Sequence, residues 1–178
     1  MRRVLVAMVV AGLWAGACGG EAETTADGDR ATSRAKRTPT EEQTPKTKPS
    51  PSIDFGHGTA VLHGASDVRV ELEVARTAEQ RAFGLMLREE LAPEAGMLFV
   101  FPGATSGGFY MKDTLIPLSI AFFDDKGEIL KILDMVPCKR EPCKIYYPDA
   151  IYTRALEVNK AAFDRWEVTT GDSIELDL

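Results

Sequence analysis

The sequence predicts a single mostly β domain of the α+β class: a small rolled sheet or barrel-like domain of about seven strands with two short helices. Short runs in which apolar and polar residues alternate recur along residues 53–178, separated by Gly, Pro and Asp turn signals. Two short stretches show the period of a helix. Residues 53–178 also follow a sharp change of composition and are numerous enough to bury one core.

The first half of this domain contains an initial strand between His57 and His63 and three clearer elements. Residues 68–74 alternate between apolar and charged side chains without exception, which indicates a strand with one buried and one solvated face. A helix is expected after Thr77, because Thr77 and Gln80 have the spacing of a capping box. Residues 96–101 are almost continuously apolar and predict a buried strand, which Pro102 and the glycine after it should end.

The second half predicts four further strands and the second helix. Residues 118–123 and 129–133 form a hairpin, because the Asp-Asp-Lys-Gly sequence at 124–127 is a typical turn. Residues 152–158 and 173–178 are the last two strands, with a short helix around residues 161–166 between them.

The first 17 residues have the pattern of a lipoprotein signal peptide. Two arginines precede an uncharged run at residues 4–14, which is too short to span a bilayer but suits a signal-peptide core. Ala15-Gly16-Ala17-Cys18 then resembles a lipobox, with Ala where Leu is usual, so Cys18 is the expected lipidation site. The alternative is an ordinary signal peptide cut near a cysteine. Either one places the mature chain outside the cytoplasm.

Residues 18–52 should form the lipidated cysteine and a disordered tether. From residue 19 to 52 there is no aromatic side chain and no aliphatic one larger than Ala, and six acidic residues accompany six basic ones. Such a segment cannot bury enough apolar surface to offset the entropy lost on ordering. We therefore expect the membrane, reached through lipid on Cys18, to be one partner of the protein.

Cys138 and Cys143 remain as a pair once Cys18 is assigned to lipid. In an oxidising compartment a structural disulfide is favoured over a metal pair or a redox couple, since redox pairs are typically spaced Cys-x-x-Cys. Closing so short a loop stabilises by about 2 kcal/mol.

Charge and motifs exclude several function classes. Residues 53–178 contain 21 acidic and 13 basic side chains, a net charge of −8 (13 minus 21), which argues against nucleic acid and anionic lipid as partners. The chain has no nucleophile elbow and no glycine-rich phosphate loop. Its methionines are irregularly spaced and its two histidines lack further ligands at metal spacing. We expect neither a metal nor a cofactor.

The residues with most chemistry lie in the segment Phe109-Tyr110-Met111-Lys112-Asp113-Thr114. In an extended segment, Phe109, Met111 and Asp113 would face one side, and the other three the opposite side. One interpretation is a binding wall, with aromatic side chains beside an ion-paired Lys112 or Asp113. The other is that Phe109 and Met111 belong to the core while both charges are solvated. Arg81 would bind an anionic ligand or, as favoured, form a surface salt bridge.

These residues resemble the family known as domain of unknown function 192. The resemblance rests on Arg81-x-x-Gly-Leu-Met, the apolar strand at residues 96–102 and, most specifically, the Phe-x-Met-Lys-x-Thr block, and it covers roughly residues 66–178. It continues through the cysteine pair and the Ala-Leu-Glu-Val strand at 155–158. The resemblance implies a small, mostly β domain, often behind a signal peptide, and no settled activity.

The chain departs from the family pattern in three segments. Tyr110 and Asp113 stand where Trp and Asn are usual, Ser119 stands where an Asp is usual, and Asn159-Lys160-Ala161 replaces a common Gly. If the missing carboxylate is functional, Asp113 is a candidate to supply its charge.

Two hypotheses about function follow. The first and favoured one is a lipid-anchored protein of the cell envelope, at the outer membrane or cell surface, whose domain is a non-catalytic binding or accessory module for an envelope glycan or protein. Its candidate ligand-binding residues are Arg81 and residues 109–114. The second is a small envelope hydrolase or transferase using Lys112 and Asp113. The further acid–base candidates are Glu157, Tyr146 and Tyr147.

Overall fold

A computed structural model of the protein describes residues 53–178. The predicted signal peptide, the lipidated Cys18 and the predicted tether lie outside the described residues. The described part contains these elements in chain order: β1 Gly56–His63, β2 Asp67–Ala75, α1 Ala78–Phe83, β3 Ala95–Thr105, β4 Phe109–Tyr110, β5 Leu118–Phe123, β6 Ile129–Met135, β7 Ile145–Tyr146, β8 Tyr152–Asn159, α2 Ala162–Arg165 and β9 Ser173–Asp177. No helix in this range is both long and apolar enough to cross a membrane.

Seven of the strands form one curled sheet in the order β6-β5-β8-β3-β2-β1-β9, and β4 pairs with β7 in a separate ribbon. The neighbours in the large sheet are antiparallel except β2 and β3, which are parallel and are connected through α1. Strand β8 is therefore central, hydrogen-bonded to β3 on one side and β5 on the other. The mostly β fold class predicted from the sequence is confirmed.

The sheet curls far enough for its two edge strands to meet at one corner. Glu128, just before β6, forms a bridge with Ser173 of β9, and the backbone N–H of Ile174 donates to the carbonyl of Gly127. Gly127 has φ of +91°, and a Cβ there would lie 2.3 Å from the carbonyl oxygen of Ile174. Glycine is required at this turn because it alone permits both the dihedral angle and the close approach.

Local sequence signals account for most elements. The capping box is present: the Thr77 hydroxyl accepts the backbone N–H of Gln80 at 3.1 Å, and the Gln80 side chain accepts that of Thr77 at 2.9 Å.

The predicted end of β3 at Pro102 is wrong, because the strand continues to Thr105. Its pairing with β8 shifts register between Val100 and Thr105, so the missing N–H of Pro102 interrupts no regular ladder.

Two apolar clusters cover the two faces of the sheet. Along β8 and β3, Leu156 and Leu98 belong to one cluster, while Ala155, Met97 and Phe99 belong to the other. The central strand therefore has no solvated face: residues 155–158 are all buried. Any charged side chain in this stretch is forced into the interior.

The Phe109–Thr114 segment is not extended throughout, so its predicted alternation is wrong beyond Tyr110. Only β4 is a strand, and the chain then turns, with Asp113 at φ of +54°. The turn buries Met111 and Thr114 and exposes Lys112 and Asp113.

Candidate functional site

A cavity of about 260 Å³ opens on the sheet face that is covered by α1 and β4. We call it the Glu157 cavity. Its aromatic lining comes from Phe83, Phe99, Phe101, Phe109, Tyr110 and Tyr152, and its remaining lining from Arg81, Ala82, Leu85, Met86, Gly107, Gly108, Thr114 and Glu157. Of these described lining residues, Glu157 is the one acidic side chain and Arg81 the one basic side chain.

Glu157 lies in the middle of β8, where Met97 of β3 and Ile120 of β5 flank it in register. Its side chain is only 5% exposed. Burial alone raises the pKa of its carboxyl group from an ordinary 4.5 to about 8, and no hydrogen bond or ion pair from the described residues compensates it. Neither flanking side chain has a polar hydrogen to donate, so the carboxyl group is protonated at neutral pH. A hydrogen-bond partner can reach it through the cavity that it lines.

Arg81 does not form the surface salt bridge that the sequence favoured. Its Nη1 donates to the backbone carbonyls of Arg76 at 2.6 Å and Val100 at 3.1 Å, and its guanidinium stacks 5.1 Å above the ring of Phe101. Within the described residues no carboxylate lies within ion-pair distance of it. The guanidinium is fixed as part of the cavity wall.

The aromatic wall is held by edge-to-face packing. Phe109 packs against Phe99 with ring centroids 5.0 Å apart, and Phe101 packs against Tyr152 at 5.4 Å. The Tyr152 hydroxyl donates to the carbonyl oxygen of Gly107 at 2.8 Å, and burial raises its pKa to about 12. Each edge-to-face aromatic pair stabilises by about 0.5–1.5 kcal/mol beyond the contribution of the apolar area that it buries. These pairs hold the rings of the wall rigidly in place.

The structure divides the predicted ligand-binding segment between this cavity, the core and the surface. Phe109, Tyr110 and Thr114 line the cavity together with Arg81. Met111 is buried in the core. Lys112 and Asp113 are exposed, and neither lines the cavity.

Lys112 forms an ion pair with a residue outside the 109–114 segment. Its Nζ lies 2.6 Å from Oε1 of Glu141, inside the loop between the two cysteines, and both side chains are substantially exposed. The pair raises the pKa of Lys112 and lowers that of Glu141. Asp113 contributes its backbone carbonyl, which accepts the N–H of Leu87 at 2.8 Å. These contacts hold the turn against its neighbours.

The cysteine loop is connected to the cavity wall through strand β7, which pairs with β4. The sulfur atoms of Cys138 and Cys143 lie at disulfide distance, 2.05 Å, which supports the predicted pairing. Strand β7 follows the loop and pairs with β4, so that Tyr146 lies opposite Phe109. Tyr146 is buried and its hydroxyl accepts the N–H of Val136 at 3.1 Å, whereas Tyr147 is exposed. Neither tyrosine lines the Glu157 cavity.

Ser119, which stands where the family usually has Asp, is hydrogen-bonded to a carboxylate on the adjacent strand β6. Ser119 Oγ donates to Oδ1 of Asp134 at 2.5 Å and accepts the backbone N–H of Ala161 at 2.8 Å. Asp134 is its register partner on β6. Asp113 is exposed, and the hydrogen-bond partners of Ser119 Oγ are Asp134 and Ala161. Position 119 thus joins the two strands to the start of α2.

Metal ligation has no support in the described range. No group of three or more His, Cys, Asp or Glu side chains that could hold a metal ion occurs in residues 53–178. His63 instead bonds Asp67 through Nδ1 at 2.8 Å, and Asp67 raises its pKa. Met97, Met111 and Met135 are buried among apolar neighbours.

Comparisons with known proteins agree with this fold. A crystal structure of a protein from Sinorhizobium meliloti 1021, described as a candidate transcription regulator, is 30% identical over 70% of this chain and 97% of that chain, with a TM-score of 0.66. A protein of unknown function from Novosphingobium aromaticivorans DSM 12444 is 27% identical over 71% of this chain and 89% of that chain, with a TM-score of 0.65. No protein with a curated description matches.

The family comparison gives the most specific result. The profile of DUF192, described as an uncharacterized ACR family, matches residues 60–176, which is most of the domain and includes every residue of the Glu157 cavity. The chain belongs to the DUF192 family.

Proposed function

We propose that the protein is a lipid-anchored protein of the cell envelope whose domain, residues 53–178, is a non-catalytic binding or accessory module that takes a small ligand into the Glu157 cavity. The observation that carries the proposal is a buried carboxyl group without a protein partner, at the wall of a rigid aromatic cavity. A buried polar group without a partner costs stability, and ligand sites are where proteins retain such groups.

Binding is favoured over catalysis by the state of the other polar groups in the wall. The Tyr152 hydroxyl is committed to the carbonyl of Gly107, and Arg81 is fixed on backbone carbonyls and on Phe101. Nucleophilic catalysis typically pairs the nucleophile with an adjacent base, and no such pair lines the cavity among the described residues. The earlier catalytic candidates, Lys112 and Asp113, are outside the cavity, so no observation favours the hydrolase or transferase alternative through them.

The envelope location rests on the sequence. The basic start, the short apolar run and the lipobox-like residues before Cys18 support a lipid anchor, and residues 19–52 would hold the domain away from the membrane. The pairing of Cys138 with Cys143 fits an oxidising compartment.

Nucleic acid is not proposed as a partner, although the relative from Sinorhizobium meliloti is described as a candidate transcription regulator. The domain has a net charge of −8 (13 basic minus 21 acidic side chains), and phosphate backbones require a positive surface. An envelope glycan fragment or a small molecule of the envelope fits the aromatic wall better.

A blocked cavity tests the proposal. Ala82 is exposed and lines the cavity, whereas Ala78 is exposed on the same helix and does not line it. The mature protein in detergent would be screened by thermal shift against small glycans, amines, acids and neutral ring compounds. We expect stabilising ligands whose effect is lost in Ala82→Trp but kept in Ala78→Trp and in Lys112→Ala.

Two results would count against this function. Ligands that stabilise Ala82→Trp as well as the wild type would show that binding occurs elsewhere. Chemical conversion of a bound compound that stops in Glu157→Gln would replace the binding function with catalysis.

A further inference from the structure

The chemistry of the Glu157 cavity indicates what kind of ligand it accepts. The two buried hydroxyl groups in its wall already have acceptors in the protein: Tyr152 Oη donates to the carbonyl of Gly107, and Thr114 Oγ1 lies 3.4 Å from the carbonyl of Lys112, whereas Tyr110 is exposed. The backbone N–H of Gly107 donates to Thr105. The Glu157 carboxyl is the buried ionisable group in this wall for which the described residues provide no partner. A ligand that completes the site therefore brings a hydrogen-bond donor to a carboxyl group.

The surroundings of Glu157 favour a positively charged donor. Six aromatic side chains line the cavity, and aromatic rings attract cations electrostatically. Arg81 does not neutralise the carboxyl group, since burial is the one cause of its altered pKa. A buried carboxylate is stable when it is both paired and hydrogen-bonded, and an ammonium group provides both.

We propose that the ligand is a small organic amine, bound as an ammonium ion whose nitrogen donates to the carboxylate of Glu157 and whose apolar body packs against the aromatic wall. This inference rests on the proposed function. The volume of about 260 Å³ lies below the range of roughly 300–1,000 Å³ that is typical of sites for drug-sized ligands, so the amine is small.

Binding of an ammonium ion is coupled to loss of one proton. The free Glu157 is protonated at neutral pH, so the entering ammonium ion keeps its protons and the carboxyl proton leaves to solvent. The other titratable groups that line the cavity are Arg81 from α1, Tyr110 from β4 and Tyr152 from β8, while β3 and β5 present Met97 and Ile120 beside Glu157. Burial raises the pKa of Tyr152 to about 12.

Three ring compounds of matched shape test the charge preference. Benzylamine, benzyl alcohol and benzoate carry a positive, zero and negative charge, and their binding to the mature protein in detergent would be measured by calorimetry. We expect benzylamine to bind at least about tenfold more tightly than the other two above pH 8. Its affinity should fall about tenfold per pH unit below that, with release of one proton detected in buffers of different ionisation enthalpy.

Variants separate the role of Glu157 from general effects. Glu157→Gln should abolish the preference for benzylamine and its pH dependence, while Glu94→Gln, at an exposed acidic position outside the cavity, should retain both. The proton release in the wild type gives an answer even if Glu157→Gln fails to fold.

Several outcomes would overturn the inference. Tighter binding of benzoate would assign the site to Arg81 and an anion, and equal binding of all three would make it an apolar site. Failure of benzylamine to bind would also overturn it. In each case the proposed function survives if ligands sensitive to Ala82→Trp are found, and it fails separately if none is.

Discussion

At the residue scale, the proposed ligand site depends on Glu157, whose burial costs stability. A carboxyl group on a strand covered on both faces has lost its solvation, and the nearest strands offer Met97 and Ile120 as neighbours. The sequence identified Glu157 only as one of several acid–base candidates. The informative signal was the position of one charge within the apolar run at residues 155–158, and its value became apparent once β8 was known to be the central strand.

Replacing Glu157 by Gln should stabilise the protein increasingly as pH rises. Between pH 4.5 and about 8 the unfolded chain releases the proton that the folded chain keeps, because burial raises the pKa of the folded carboxyl group. Folding stability of the wild type therefore falls by about 1.4 kcal/mol for each pH unit in this window, and changes no further above it. Urea unfolding near pH 5, 6.5 and 8 should show the Gln variant gaining on the wild type, with Glu94→Gln showing no such trend. A difference independent of pH would contradict the burial argument.

At the scale of elements, sequence patterns that act within a few residues predict the helix and strand correctly. Features that depend on a partner strand or on residues distant in sequence are not predicted correctly. The Thr77 capping box and the alternation at residues 68–74 specify their elements locally, and both are present. Pro102 was expected to end β3, but its effect depends on whether the partner strand needs its N–H there. Likewise, the turn after Tyr110 depends on contacts with Leu87 and Glu141, which are distant in sequence.

Ser119 and Asp134 act as one unit that joins β5, β6 and the start of α2, so the residue usual in the family should not fit at position 119 alone. Ser119→Asp would place a second, buried carboxylate beside Asp134, now 2.5 Å from the serine hydroxyl. We expect a loss of about 1–3 kcal/mol in unfolding free energy. Adding Asp134→Asn should recover at least half of it, because the like charges are then removed. Denaturant unfolding of the four proteins of this cycle measures the coupling, and additive effects would mean that the two residues do not interact.

At the scale of the whole molecule, the described domain and the residues before it differ in charge and in their content of apolar side chains. The domain is acidic, with a net charge of −8 (13 minus 21), and presents one aromatic cavity, whereas residues 19–52 contain nothing that a core could use. A domain on such a tether would sample a volume near the membrane and raise the effective concentration of its site there. The envelope proposal therefore depends on the anchor at Cys18.

Changing Cys18 to Ala should release the protein from membranes or leave it as an unprocessed precursor. Stable anchoring needs more than one acyl chain, each contributing about 0.8 kcal/mol per buried methylene, and in a lipoprotein these chains are held by the lipidated cysteine. Gly19 follows Cys18, and the absence of Asp there would permit transfer to the outer membrane in enterobacterial sorting. Fractionation and intact-mass measurement should show lipid on the wild type and none on Cys18→Ala. The double variant Cys138→Ala/Cys143→Ala is the matched control, since it removes the other two cysteines and should remain membrane-bound. Membrane association of Cys18→Ala equal to that of the wild type would remove the anchor, and with it the tethered form of the proposed function.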